Sequence, residues 1–340
     1  MTHPEDAGRS AGLAAIDREM ARQGEDALAS FEAGRETAGQ IAASLRRTGR
    51  LLMLGMGGSH AVGRAVEPFY RALGIAAVAL PLSEQLVSPL PADATTILLT
   101  SQSGESGEVL RWLREGGATP DTFGLTLEAG STLGRAVPCL TGAGGSEQAF
   151  AATRSLTITF AQHLAILAAL GADPGAALAA LRDGTDGPVD AAVEALAGVD
   201  TVVTSGRLLR GLAETIALGF TELAREPAYA LEGGQLRHGP MEMLGPRIGV
   251  LHFCADEPSE PLVKSLAAAC VAAGSPTVVL DASGRETVPG AVNLTLPPAA
   301  GMAAVFRILP VAQRLMIAHA ARRVPDAGTP LRSNKITRVE

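Results

Sequence analysis

The chain has 340 residues, 47% of them hydrophobic and 19% charged, enough to bury the core of one large domain or two ordinary ones. Its net charge of −7 argues against duplex DNA as a partner, because phosphate backbones need a basic face; a small anion held by local dipoles remains open. Among 28 basic residues only Lys264 and Lys335 are lysines, so each stands out against an arginine-rich background.

The opening MTHPEDAGRSAG lacks the basic, apolar and small-residue succession of a secretory signal, and no apolar run approaches the roughly 20 residues of a membrane span. Cys139, Cys254 and Cys270 are odd in number and widely spaced, which reads as buried thiols in a reducing compartment. No His/Cys cluster has zinc spacing. The expectation is a cytoplasmic protein with no metal, no membrane and no nucleic acid among its partners.

Residues 1–48 predict a helical extension, with apolar positions at helical spacing through AAIDREMARQGEDALASF. Strands are predicted at Arg50–Leu54, Ile75–Pro81, Thr95–Thr100, Thr122–Leu127 and Val137–Leu140, with helical stretches between them and a long helix near Ala151–Leu170. A Gly/Asp/Pro-rich linker follows, and the pattern then restarts. Asp200–Thr204, PAYALEGGQL, RIGVLHF and PTVVLD lie about 150 residues beyond their counterparts in the same order, as a duplicated unit requires. Apolar strands alternating with helices predict an α/β protein with two tandem, doubly wound parallel sheets: residues 49–184, then 195–340. Such sheets bind ligands at the C-terminal ends of their strands.

Four segments could carry chemistry. GMGGSHAVG, after the first strand, lacks the third glycine of a dinucleotide fingerprint because His60 stands there, yet its glycines and Ser59 suit an anion at a helix N-terminus. SQSGES, after the third, offers Ser101, Gln102, Ser103 and Ser106, with Gly104 allowing close backbone approach. One serine would explain a helix cap; the others then remain as surplus donors, which suits a phosphate ester. No G-x-x-x-x-G-K occurs, so a sugar phosphate is favoured over a nucleotide. Glu222 ends a helical stretch, and His238 lies in a Gly-rich loop fixed by Gly239 and Pro240. Together they could move protons on a sugar; taken alone, such a Glu is more often a solvated helix residue and such a His more often structural. Lys335, in the polar tail LRSNKITRVE, is either a solvated end or an amine able to form a Schiff base.

GMGGS, SQSGES, EQAFAATRS, the interval from Glu222 to RHGP, and the tail NKITRVE together resemble the SIS (sugar isomerase) family. The similarity runs from about Arg50 to Glu340 and is nearest to the isomerase half of glucosamine-6-phosphate synthase and its stand-alone deaminase and deglycase relatives. The resemblance implies a phosphate loop at Ser101, Gln102, Ser103 and Ser106, where Ser106 replaces a threonine, and a substrate-binding loop at Gly57, Gly58 and Ser59. It further implies an enolisation base at Glu222, a ring-opening histidine at His238, a catalytic lysine at Lys335, no cofactor, and a homodimer with shared active sites. Two family positions differ: a lysine three residues before the base is Gly219 here, and a threonine of the first loop is Gly58. No glutaminase domain with an N-terminal cysteine is visible, so the expected direction is release of ammonia from a hexosamine 6-phosphate. A fructosamine-6-phosphate deglycase and a plain aldose–ketose isomerase would use the same residues. A non-enzymatic sugar-phosphate sensor fits less well, since residues 1–48 do not resemble a basic helix-turn-helix.

Overall fold

The computed structural model describes residues 10–338, so the first nine residues of the predicted N-terminal helix and the last two of the tail lie outside the described residues. Within that range the chain forms two compact units. One comprises residues 21–148, 152–182 and 332–338; the other comprises residues 10–20, 149–151 and 183–331.

Two helices come first, α1 (Ala11–Ala33) and α2 (Arg35–Thr48), and they part at Gly34. A β-carbon on Gly34 would overlap the Leu140 side chain, so the helix break coincides with a close approach. The first unit continues through β1 (Arg50–Gly55), α3 (Gly57–Ala72), β2 (Ala76–Pro81), α4 (Leu82–Val87), β3 (Thr96–Thr100), α5 (Gly107–Arg114), β4 (Thr122–Thr126), α6 (Thr132–Ala136), β5 (Cys139–Thr141), α7 (Arg154–Leu170) and α8 (Gly175–Asp183). Its five strands are all parallel, in the order β2-β1-β3-β4-β5. The three central strands are buried almost throughout because helices cover both faces, and this is why they read as continuous apolar runs. α7 is buried nearly all round, down to the Arg154 side chain.

The other unit repeats the plan. It comprises α9 (Asp190–Ala195), β6 (Thr201–Gly206), α10 (Arg210–Ala224), β7 (Ala228–Glu232), α11 (Gly233–Arg237), β8 (Ile248–Ala255), α12 (Glu260–Ala272), β9 (Thr277–Ala282), β10 (Val292–Thr295) and α13 (Gly301–Arg323). The sheet order is β7-β6-β8-β9-β10, which is the first order again, strand for strand. The duplication read from the sequence is therefore real in topology, and the α/β class with two parallel five-stranded sheets is as expected.

Three sequence expectations need correction. β10 was not anticipated, because Val-Asn-Leu-Thr is short, half polar and lies at a sheet edge. Cys139 is only partly buried, unlike Cys254 and Cys270. α13 is long and apolar enough to cross a membrane, its best 18-residue window having a mean hydropathy of 1.4; 72% of that window is buried inside the protein, as in a core helix.

Candidate functional site

In the first sheet the chain leaves β1 for β2 on one side and later returns to β3 on the other, so the strand order reverses between β1 and β3. Gly55 is in register with Thr100, which sets the loops after β1 and β3 side by side at the C-terminal edge. This is the crevice where open α/β sheets take their ligands. Gly57, Gly58 and Ser59 form the first turn of α3, entered from extended Met56. Gly57 has φ +51°, a left-handed conformation that favours glycine, and a β-carbon on Gly58 would press on Leu156.

The Ser101–Ser106 loop runs from the end of β3 to α5, with Ser106 in the N-cap position. The Ser106 side chain makes no capping bond; its Oγ lies 3.4 Å from Ser101 Oγ instead. Ser101 Oγ accepts from Gly104 N–H at 3.2 Å, and Ser103 Oγ accepts from Glu105 N–H at 3.2 Å. The Gln102 carbonyl is fixed by Leu127 N–H at 2.9 Å and Thr126 Oγ1 at 3.1 Å. Gly104 has φ +63°, and a β-carbon there would overlap the Ser131 hydroxyl. Glu105 is drawn aside by Thr132, whose N–H donates to Oε1 at 2.6 Å and whose hydroxyl donates to Oε2 at 3.1 Å. Main-chain and side-chain hydrogen bonds thus fix the loop, and its serine hydroxyls stand beside the positive end of α5, where they can donate to an anion.

The tail joins this unit. Lys335 Nζ lies 2.8 Å from Glu147 Oε2, and two residues later the Thr337 carbonyl accepts the Gly107 N–H at 3.0 Å. Glu147 is fully buried and also accepts from Thr153 N–H at 2.9 Å and from the Ser155 hydroxyl at 2.6 Å. Burial alone would push its carboxyl up. The Lys335 charge and these hydrogen bonds outweigh that and hold it below the ordinary carboxylate value. Glu147 belongs to the EQAFAATRS stretch, and nothing in its spacing marks it as a site residue. In the sequence it is one acidic residue in a mixed polar and apolar run, and its partner lies at the far end of the chain.

A cavity of about 440 Å³ opens along α5 and α6, lined in part by Leu110, Arg114, Thr132 and the tail residue Arg338. It contains none of the predicted site side chains.

Glu222 and His238 belong to the other unit. Glu222 is half-buried on the last turn of α10, and His238 is exposed at the C-terminal cap of α11, followed by Gly239 at φ +108°. The family lysine position, Gly219, faces α13, where a β-carbon would overlap the Met316 sulfur. α10 packs on α13, and that contact leaves no room for a side chain at this position. The other lysine of the chain, Lys264, has a structural environment: its ammonium lies 3.1 Å from Glu260 and 3.0 Å from Asp281, and it donates to Ser283 Oγ at 2.9 Å. Among the described residues no three of His, Cys, Asp and Glu gather where they could hold a metal ion.

Two parallel sheets of the same 2-1-3-4-5 order, with a polar loop at the switch point of the first, constitute the fold of SIS-domain phosphosugar isomerases, and this chain has that fold. The C-terminal domain of glucosamine-fructose-6-phosphate aminotransferase from Francisella tularensis superposes with a TM-score of 0.80 at 17% identity, covering 97% of this chain and 100% of that one. Tagatose-6-phosphate ketose/aldose isomerase from Escherichia coli gives 0.76 at 18% identity over 96% and 99% of the two chains. Glucosamine-6-phosphate deaminase from Thermotoga maritima gives 0.68 at 20% identity over 92% and 99%. No family model and no curated protein matches the sequence.

Proposed function

We propose that the protein is a phosphosugar isomerase of deaminating type, converting a hexosamine 6-phosphate such as glucosamine 6-phosphate to fructose 6-phosphate and ammonia. The observation that carries this reading is the Ser101–Ser106 loop, whose Ser106 hydroxyl makes no capping bond and which stands at the sheet's switch point, with the tail's Thr337 carbonyl on the first residue of the helix that follows it. The phosphate takes Ser101, Gln102, Ser103 and Ser106, with Gly57, Gly58 and Ser59 lining the substrate. His238 assists ring opening. Glu222 removes the proton from C2 and returns it to C1 through an enolamine; water then hydrolyses the resulting ketimine, and ammonia leaves. Lys335 is the covalent or electrostatic participant. The proton that moves is already α to a carbonyl or imine, so this chemistry needs no metal or organic cofactor. The reading carries a homodimer with shared sites, working in the cytoplasm.

The test incubates the protein with glucosamine 6-phosphate and follows ammonia and fructose 6-phosphate. Cleavage of a fructosamine 6-phosphate alone would make it a deglycase. Interconversion of aldose and ketose phosphates without amine release would make it a plain isomerase, and binding without turnover a sensor.

A further inference from the structure

Glu147 is a carboxylate with no exposed surface, gripped by Thr153 and Ser155 at the start of α7, and it faces an ammonium at the end of the chain. A buried carboxylate left without a cation is costly, and one that meets a cation through several fixed donors is a directional anchor. Of the residues flanking Lys335, Arg332, Ser333, Asn334 and Thr337 are exposed, with the Thr337 carbonyl accepting the Gly107 N–H at 3.0 Å. We propose that Glu147 is a preformed ammonium socket that positions Lys335, adding a side-chain anchor to the main-chain hydrogen bond by which Thr337 holds the tail on α5. The socket deepens the function proposed above and, for its catalytic consequence, rests on that reading. It makes Glu147 a positioning residue acting through Lys335.

The test exploits the presence of only two lysines in the chain, Lys264 and Lys335. The full-length protein is treated with limiting acetic anhydride near neutral pH, and the two acetylation yields are read by peptide mass spectrometry, with Lys264 as internal reference. Glu147→Gln keeps the shape of the socket and removes its charge. The Lys335 to Lys264 labelling ratio is expected to rise about tenfold, and Glu147→Asp to recover part of the protection. An unchanged ratio in a natively folded Glu147→Gln protein overturns the proposal. Should that variant fail to fold, urea melts decide: Lys335→Met strands the carboxylate, so adding Glu147→Gln must restore stability relative to Lys335→Met alone, and additive losses overturn the proposal. With a hexosamine 6-phosphate as substrate, Glu147→Gln should lower kcat with KM little changed and move the acid limb of the pH profile. A wild-type protein that turns over no phosphosugar refutes the proposed function, while the labelling ratio still decides the socket.

Discussion

The Gly107 N–H donates to the Thr337 carbonyl at 3.0 Å, which places main chain from the end of the protein on the first turn of α5. That N–H is one of the donors a helix cannot satisfy internally. The tail and the serine loop therefore share one helix terminus. Removing residues 332–340 deletes Lys335 and Thr337 but little buried surface, since among residues 332–338 only Lys335 and Ile336 are half-buried. Because the deletion also strands the buried Glu147 carboxylate, the truncated protein is expected to melt below the intact one, to bind fructose 6-phosphate by calorimetry, and to lose turnover. Retained turnover would remove the tail from the mechanism.

Gly104 tests the loop. With φ +63° and the Ser131 hydroxyl where a β-carbon would sit, Gly104→Ala meets both backbone strain and a steric clash. A cost of about 1–3 kcal/mol is expected in urea melts, together with weakened phosphate-ester binding. Gly130→Ala, on a glycine with open space around it, is the control and should change neither.

Gly219 tests whether the family lysine can be put back. Gly219→Lys has to displace Met316 and insert an ammonium between α10 and α13, so a loss of at least about 2 kcal/mol is expected. Met316→Ala should recover part of it by opening space. A Gly219→Lys protein as stable as wild type would show that the helix contact yields more easily than its geometry indicates.

Two histidines make the fold acid-sensitive. Burial pushes both His163, in α7, and His252, in β8, down to about 3. Their unfolded forms take up protons near 6.5, so the stability is fully present above that value and is lost as pH falls from 6.5 towards 3. Each histidine contributes a slope of about 1.4 kcal/mol per pH unit. Urea melts across this window should show the loss in both units, and a folded His163→Gln variant should show a shallower slope. Glu147 adds a separate fall at lower pH: its carboxyl is held below the ordinary value, so its contribution persists above the unfolded pKa near ~4.3 and disappears as pH drops through the folded value.

Glu222→Gln tests the base. It keeps the length of a half-buried side chain and removes its ability to take a proton. Turnover of the hexosamine phosphate should fall by about 10²–10⁴ with ligand binding retained. Near-normal turnover would place the base elsewhere.

The sequence was most informative where physical periodicity is strong. Buried parallel strands such as Leu51–Leu54 and Val278–Leu280 are apolar runs that no surface element needs, and the recurrence of such strands at a fixed offset foretold a duplicated sheet. The edge strand β10 carries no such signal, because an edge position demands no run of apolar residues. SQSGES was visible as a polar interruption, but that Ser106 leaves its capping role unused is a matter of side-chain geometry. Glu147 was hidden for another reason: 188 residues separate it from Lys335, and only the folded tail makes them neighbours. Gly219 is legible in the sequence only as a difference from the family lysine; its close approach to Met316 is visible only in the fold.

The repeated sheet order has a consequence for stoichiometry. The turn after β8 holds in its sheet the place that SQSGES holds in the first, and it reads Asp256, Glu257, Pro258, Ser259. Hydroxyl donors have given way to acids there, one of which, Glu257, is pushed up by burial. A phosphate dianion meets repulsion at that edge instead of donors. Although the architecture is doubled, the chain should therefore saturate at a single equivalent of phosphosugar.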